Sequence, residues 1–356
     1  MKKTATILLL AIAFTLNAQQ YPEVSISGSQ TRKITSTIVS GQEYELQILL
    51  PSGYENSTKK YPVVYLMDSQ WDFPLVTSIY GEQYYDGFIP EVIIVGVTWA
   101  NGEVLRTRDY TPTDDGRGGG RGGADKFLDF MKTELFPFME TNYRVDNTNR
   151  TLMGCSLGGL FTLYTLFTHT DMFTGYAAAS PAVGWDNGML YKLEKTFAKK
   201  QLTKPVRVYM TVGDVEGGRP YYEEFAEKMK ASNYKNVELH SKVLENTGHS
   251  GTKSETYTRG LQYVFKRNEL KLSDDVLNTY VGSYKSENGN TVKIKNENNM
   301  LHLYFSKNGF PLLANSENHF YATFSFFNIY FKENNNAVEG FDLIRYEGTQ
   351  TFSKVK

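Results

Sequence analysis

The chain has 356 residues, with 38 Lys+Arg against 39 Asp+Glu and a formal net charge of −1, so no global field draws it to nucleic acid or to an anionic membrane surface. That length accommodates one large domain plus a small one. Cys155 is the only cysteine, which leaves no internal disulfide and makes the fold depend on its apolar core.

The N-terminus reads MKKTATILLLAIAFTLNAQQ: two lysines, an apolar run from Ala5 to Leu16, then Asn17, Ala18 and Gln19. This pattern predicts a secretory signal peptide over residues 1–18, too short to span a bilayer, and hence export to the periplasm or the exterior. No later run approaches 18 consecutive apolar residues, so the mature chain is not expected to insert into a membrane.

From about Arg32 to Arg267 short apolar runs alternate with amphipathic ones. EYELQILLP alternates like a strand with one wet face. YPVVYLMD, EVIIVGVTW, RTLMGC, TGYAAAS and VRVYMTVGD are continuous apolar runs bounded by turn residues, as buried parallel strands are. Between them, residues 124–143 place Phe127, Met131, Leu135 and Phe138 on one helical face, and residues 220–232 repeat Phe225 and Met229 four apart. The prediction is an α/β fold, a mostly parallel sheet crossed over by helices, spanning residues 19–269. After about Leu270 aromatic alternation with Asn and Gly turns takes over. No helical period is visible there, and LKLSDD reads as a linker into a small all-β domain over residues 270–356.

In TLMGCSLGGLF, a strand ends at Ser156 and an apolar helix starts at once. Gly154 and Gly158 stand where a side chain would clash with so tight a turn. The expectation is a nucleophilic serine lifted above the sheet edge, with the Leu157 N–H aimed at the oxyanion. A close-packed glycine turn around a buried serine is the competing reading. Serine needs a base. His249, in the glycine-rich ENTGHSG loop after an alternating run, is placed to supply it. His169, His240, His302 and His319 sit at a helix end, inside a strand or in the β domain. The acid should follow VRVYMTVGD, where Asp214 and Glu216 compete. A Gly-x-x-acid turn counted from Gly213 favours Glu216. The second oxyanion donor is expected from the N–H of Ser69 or Gln70, after YPVVYLMD. Trp71 is a candidate wall of the acyl pocket.

These stretches together resemble the "Putative esterase" group of α/β-hydrolases, which includes enterochelin (siderophore) esterases, feruloyl esterases and S-formylglutathione hydrolase. The likeness spans roughly Thr31 to Arg267. The siderophore-esterase branch is closest, through Arg106, Arg108, Asp109, Thr111 and Pro112, and through Ser180, Pro181 and Trp185. The resemblance implies an α/β-hydrolase fold and hydrolysis of a small-molecule or glycan-linked carboxylic ester through an acyl-serine. Ser156, His249 and Glu216 would be catalytic, with Arg106 and Trp185 near the substrate. Cys155 stands where many members carry His and is expected to be a buried neighbour. The β tail more weakly resembles a lipocalin-like domain.

A siderophore trilactone is the first substrate expectation. A feruloyl or acetyl ester of plant polysaccharide, acyl transfer, and a non-catalytic binding protein on a hydrolase scaffold are the alternatives. GRGGGRGG lacks the Lys-Ser or Lys-Thr of a phosphate loop. Its Arg117 and Arg121, with Arg106, could meet an anionic substrate such as a catecholate. No metal-ligand spacing and no nucleotide-cofactor motif is present, so no cofactor is expected.

Overall fold

The computed structural model describes residues 25–117, 121–267, 269–322, 327–335, 337–345 and 348–355. The signal-peptide reading of residues 1–18 lies outside them, as do the three central glycines of GRGGGRGG.

An antiparallel hairpin, β1 (Ser29–Thr35) and β2 (Glu43–Leu49), opens the sheet. The strands β3 (Tyr61–Leu66), β4 (Ile93–Trp99), β5 (Val145–Cys155), β6 (Gly175–Ala179), β7 (Val206–Gly213) and β8 (Val237–Leu244) are parallel to one another, in the order β1-β2-β4-β3-β5-β6-β7-β8. Crossovers supply the helices. α1 (Ser69–Tyr85) follows β3, and α2 (Arg106–Asp109), α3 (Ala124–Phe130) and α4 (Phe136–Asn142) lie between β4 and β5. Then α5 (Leu157–Thr168), α6 (Trp185–Phe197), α7 (Arg219–Ala231) and α8 (Thr252–Val264) follow β5 to β8 in turn.

The continuous apolar runs make sense because both sheet faces are covered. Alternate residues of β3 divide between two cores. Val63 and Tyr65 pack with Phe127, Leu160 and Phe225 from α3, α5 and α7. Val64 and Leu66 pack with Phe73 and Val76 of α1 and Tyr257 and Leu261 of α8. The amphipathic stretch at residues 124–143 is not one helix: a π turn, Met131–Leu135, separates α3 from α4. Pro137 lacks the N–H that would continue the ladder, and the helix widens just before it.

The C-terminal segment forms eight antiparallel strands: β9 (Gly282–Ser286), β10 (Thr291–Asn296), β11 (Leu301–Tyr304), β12 (Gly309–Ala314), β13 (His319–Ala322), β14 (Phe327–Asn334), β15 (Ala337–Arg345) and β16 (Gly348–Lys354). Strand β16 pairs back onto β9, so the barrel closes. Its interior is filled by side chains including Tyr284, Phe320, Phe331 and Phe341. One expectation fails here. The segment read as a helix-free linker contains α9 (Asp274–Thr279), whose N-cap Ser273 accepts a hydrogen bond from the Val276 N–H (3.4 Å). The S-D-D run was the capping signal, and the short apolar period of Val276, Leu277 and Tyr280 hid it.

Because β3 and β5–β8 are parallel, the loops at residues 68–71, 156, 180–185, 214–218 and 245–251 all open on one sheet edge. That edge is where ligands bind in open α/β sheets. Helix α8 runs back to the opposite edge, where Arg267 donates to Asn328 Oδ1 of the barrel (3.0 Å).

Candidate active site

Ser156 sits between β5 and α5 with φ 60° and ψ −114°, a conformation that costs a non-glycine residue energy and is kept where neighbours enforce it. A Cβ on Gly154 would lie 2.5 Å from the Gly158 carbonyl carbon, and one on Gly158 would lie 3.0 Å from Asp68 Oδ2. The turn is therefore closed to side chains on both sides. Its backbone is held by Ser156 N–H donating to Ala179 O (2.9 Å) and Ala182 N–H donating to Ser156 O (3.2 Å). Leu157 is the first residue of α5, where N–H groups have no partner within the helix. The adjacent Cys155 thiol is buried, and burial pushes its pKa up to about 12. It remains a protonated spectator.

His249 lies in the loop between β8 and α8, and its Nδ1 is 2.6 Å from Glu216 Oε2. Oε1 of the same carboxylate accepts from Ser180 Oγ (2.6 Å) and from the Gly213 N–H (2.7 Å). Burial works to raise the Glu216 pKa. The Ser180 and His249 bonds, with the Gly213 N–H, outweigh it and hold the carboxyl below its usual range. The Gly-x-x-acid turn explains the reach: Glu216 N–H bonds back to Gly213 O (3.2 Å), curling the acid over its own strand end.

Asp214 points elsewhere. Its Oδ1 accepts from the Thr247 N–H (3.0 Å), and that bond, with one from the Asn246 N–H, lowers its pKa. It braces the loop that carries His249 and makes no bond to the imidazole. Among the described residues the chain of side-chain bonds ends at the His249 ring, without a bond to Ser156 Oγ, as is common in ligand-free sites.

Sequence reasoning missed the residues that hold these groups. Ser180, at φ 40°, both donates to Glu216 and lies 2.8 Å from Thr252 Oγ1, which donates to His249 O (2.8 Å). Thus Ser180 holds the Glu216 carboxylate and Thr252 holds the His249 backbone, with the two hydroxyls in contact. The S-P-x-x-x-W signature was the only hint of Ser180, and nothing local marked Thr252. Ser180→Ala is expected to lower kcat/KM by roughly three- to tenfold, since the carboxylate that faces His249 loses one of the three partners fixing it, a charge-assisted bond worth about 1.5 kcal/mol. Paired kcat and KM measurements check this, and an unchanged kcat/KM would assign Ser180 a packing role only.

The turn after β3 faces the start of α5. Asp68 adopts a left-handed conformation (φ 56°), and Ser69 and Gln70 begin α1, so their N–H groups also lack partners within the helix. Ser69 is buried, and Gln70 Oε1 accepts from Thr98 Oγ1 (3.1 Å). Arg106 grips Asp68 through two bonds, Nε to Oδ1 at 2.7 Å and Nη2 to Oδ2 at 2.9 Å. Its Nη2 also approaches the carbonyl of Cys155 (3.4 Å), one residue from Ser156. Burial acts against the guanidinium's charge, but the Asp68 carboxylate outweighs it and raises the Arg106 pKa.

Trp71 is largely exposed, with the Arg106 guanidinium 5.6 Å from its ring centre. Trp185 is buried, donates to Thr113 Oγ1 (3.1 Å), and carries Arg117 and Arg121 over its ring. Both arginines pair with Asp115, at 2.6 and 3.3 Å. Of the three arginines expected to meet an anion, each is already matched to a carboxylate. Asp109 was read only as part of a motif. It is a buried hub that accepts from Tyr44 OH (2.8 Å), Trp99 Nε1 (2.7 Å) and Arg108 Nε (2.6 Å).

Among the described residues no group of three His, Cys, Asp or Glu is placed to hold a metal, and no helix is long and apolar enough to cross a membrane. His240 of β8 stacks on Tyr209 of β7, and His319 stacks on Tyr330 in the barrel.

The sequence pattern of the family described as "Putative esterase" matches residues 36–291. Ferri-bacillibactin esterase BesA of Bacillus subtilis is 31% identical over 210 residues, covering 54% of this chain and 72% of that protein. Apo-salmochelin esterase of Escherichia coli is 29% identical over 135 residues, 35% of this chain and 42% of that protein. Among solved structures, an IroE-like serine hydrolase from Shewanella oneidensis superimposes with a TM-score of 0.62 at 27% identity, covering 71% of this chain and 85% of that one.

Proposed function

We propose that this chain, which belongs to the "Putative esterase" family of α/β-hydrolases, cleaves its ester by attack of Ser156, with His249 as base and Glu216 as the acid that orients it. The chain is a carboxylic ester hydrolase of siderophore-esterase type. The observation that carries the residue assignment is the 2.6 Å bond between His249 Nδ1 and Glu216 Oε2, on the sheet edge where the Ser156 turn also opens.

In this reading Ser156 Oγ attacks the ester carbonyl carbon while His249 Nε2 takes its proton. Glu216 accepts the Nδ1–H, which fixes the tautomer that leaves Nε2 free, and it stabilises the imidazolium that forms. Negative charge grows on the former carbonyl oxygen. The Leu157 N–H and that of Ser69 or Gln70 would receive it, with Asp68, gripped by Arg106, fixing the turn that carries the second donor. Collapse of the intermediate expels the alcohol, which takes the proton from His249. A water then repeats the sequence on the acyl-serine and releases the acid.

The resemblance to BesA supports a siderophore polyester as substrate, with Trp71 beside the acyl group. Relatives named for a ferric and for a metal-free siderophore both occur, so the names leave the metal state open. Export is part of the proposal and rests on the N-terminal signal. The test is a panel on the purified protein: a catechol-bearing trilactone against methyl ferulate and acetylated xylan. The trilactone is expected to give the highest kcat/KM, by at least about tenfold. Faster turnover of either other substrate would transfer the assignment to a feruloyl or acetyl esterase.

A further inference from the structure

Helices α1 and α8 pack together on one face of the sheet, and each begins at a different half of the candidate site. α1 starts with Ser69 and Gln70, the candidates for the second oxyanion donor. α8 starts with Thr252, whose hydroxyl donates to the His249 carbonyl (2.8 Å). Where the two helix starts meet, Asp72 in the first turn of α1 accepts from Lys253 Nζ through Oδ1 (2.6 Å) and from Tyr257 OH through Oδ2 (2.7 Å). Lys253 and Tyr257 are neighbours on the surface of α8 because they stand one helical turn apart. Both oxygens of one carboxylate are thus held by one helix.

The arrangement is buried. The Asp72 side chain is 3% exposed and that of Lys253 19%, and Tyr257 is fully enclosed. The Asp72 N–H bonds back to Asp68 O (3.1 Å), which ties the carboxylate to the turn that Arg106 grips. The strand end that presents Ser156 is close by. After burial, the groups that weigh most on the Cys155 thiol are Lys253, which lowers its pKa, and Asp72, which raises it. The far ends of the two helices are joined instead by neutral amides, Gln262 Nε2 donating to Gln83 Oε1.

A buried ion pair is a poor source of stability, because desolvation of both charges offsets much of their attraction, and apolar side chains of similar volume often serve as well. What it supplies is a single geometry, since neither charge can move off without leaving the other buried and alone. The Asp68–Arg106 pair fixes the oxyanion turn to α2. The Asp72–Lys253 pair fixes the same stretch to the helix start that holds His249.

We propose that Asp72 and Lys253 are positioning residues, whose ion pair sets the separation of the oxyanion donors from the His249 imidazole across Ser156. This rests on the esterase reading above. Acyl transfer needs both groups placed at once, and an offset of about 1 Å costs on the order of a hundredfold in rate.

The experiment measures kcat and KM on p-nitrophenyl butyrate with the whole protein, counting active molecules by fluorophosphonate titration and recording the melting temperature alongside. Asp72→Asn and Lys253→Met should each lower kcat per titrated site by roughly ten- to hundredfold with KM changed by less than about threefold. The double variant should lose no more than the worse single one, because the two act as a unit. It leaves no buried charge unpaired, so it carries the test even where a single variant fails to fold. Glu194→Gln, at the buried pair with Lys228 between α6 and α7 (3.0 Å), is the comparison: it should lower the melting temperature and leave kcat within about twofold. A double variant with kcat within about twofold of wild type, or a loss of kcat equalled by Glu194→Gln, overturns the inference and leaves the esterase reading standing. If the wild type shows no Ser156-dependent turnover, the esterase reading itself falls and this inference with it.

Discussion

Ser156→Ala is expected to lower kcat on p-nitrophenyl butyrate by roughly four to six orders of magnitude, and His249→Ala by a similar factor, since nucleophile and base act as one unit. For the same reason the double variant should be no worse than either single one. The melting temperature should hold or rise slightly, because among the described residues the Ser156 hydroxyl has no hydrogen-bond partner and alanine is no larger. Substantial turnover in Ser156→Ala at unchanged melting temperature would remove the serine from the mechanism.

The second large effect separates two neighbouring carboxylates. Glu216→Gln is expected to reduce kcat by about 10²–10⁴-fold, as replacing the orienting acid of a Ser-His-acid triad does. The physical reason lies in its three partners. Oε2 faces His249 Nδ1, while Oε1 accepts from Ser180 Oγ and the Gly213 N–H. An amide must turn its NH₂ either toward those two donors or toward the imidazole. The first orphans the Gly213 N–H, and the second favours the tautomer with a protonated Nε2, which cannot accept the serine's proton. Asp214→Asn retains an oxygen for the Thr247 N–H and should cost less than about tenfold, in line with one loop-bracing bond. Paired kcat and KM measurements decide the matter, and the reverse ranking would transfer the acid's role to Asp214.

The pattern of residue types exposed the layout of the sheet but not the side-chain partnerships. Continuous apolar runs announced strands buried on both faces, since only a sheet covered by helices tolerates YPVVYL and IIVGVTW. The glycines around Ser156 were legible because their cause is local: Gly154 and Gly158 meet within one turn. Glu216 was favoured over Asp214 for an equally local reason, the Gly213 turn. Longer-range pairings left no such trace. Asp68 and Arg106 are 38 positions apart, Ser180 and Thr252 are 72 apart, and Asp72 and Lys253 are 181 apart. No spacing rule reaches that far.

Arg117 and Arg121 show what this does to a functional reading. In sequence they are cations on a glycine-rich loop, suited to an anion. In the fold Asp115 lies between them and Trp185 beneath them, so much of their charge is already answered. The short helix α9 was missed for a different reason. Six residues give too little periodicity to see, and its Ser273 cap was the stronger signal.

The proposed mechanism requires a nucleophilic Ser156 Oγ, and intact-mass measurement after treatment with a fluorophosphonate observes the covalent bond it forms. One adduct per chain is predicted, located by proteolysis on the peptide containing TLMGCSLGG, absent in Ser156→Ala and slowed in His249→Ala. An unmodified wild-type protein, or an adduct that persists in Ser156→Ala, would contradict it.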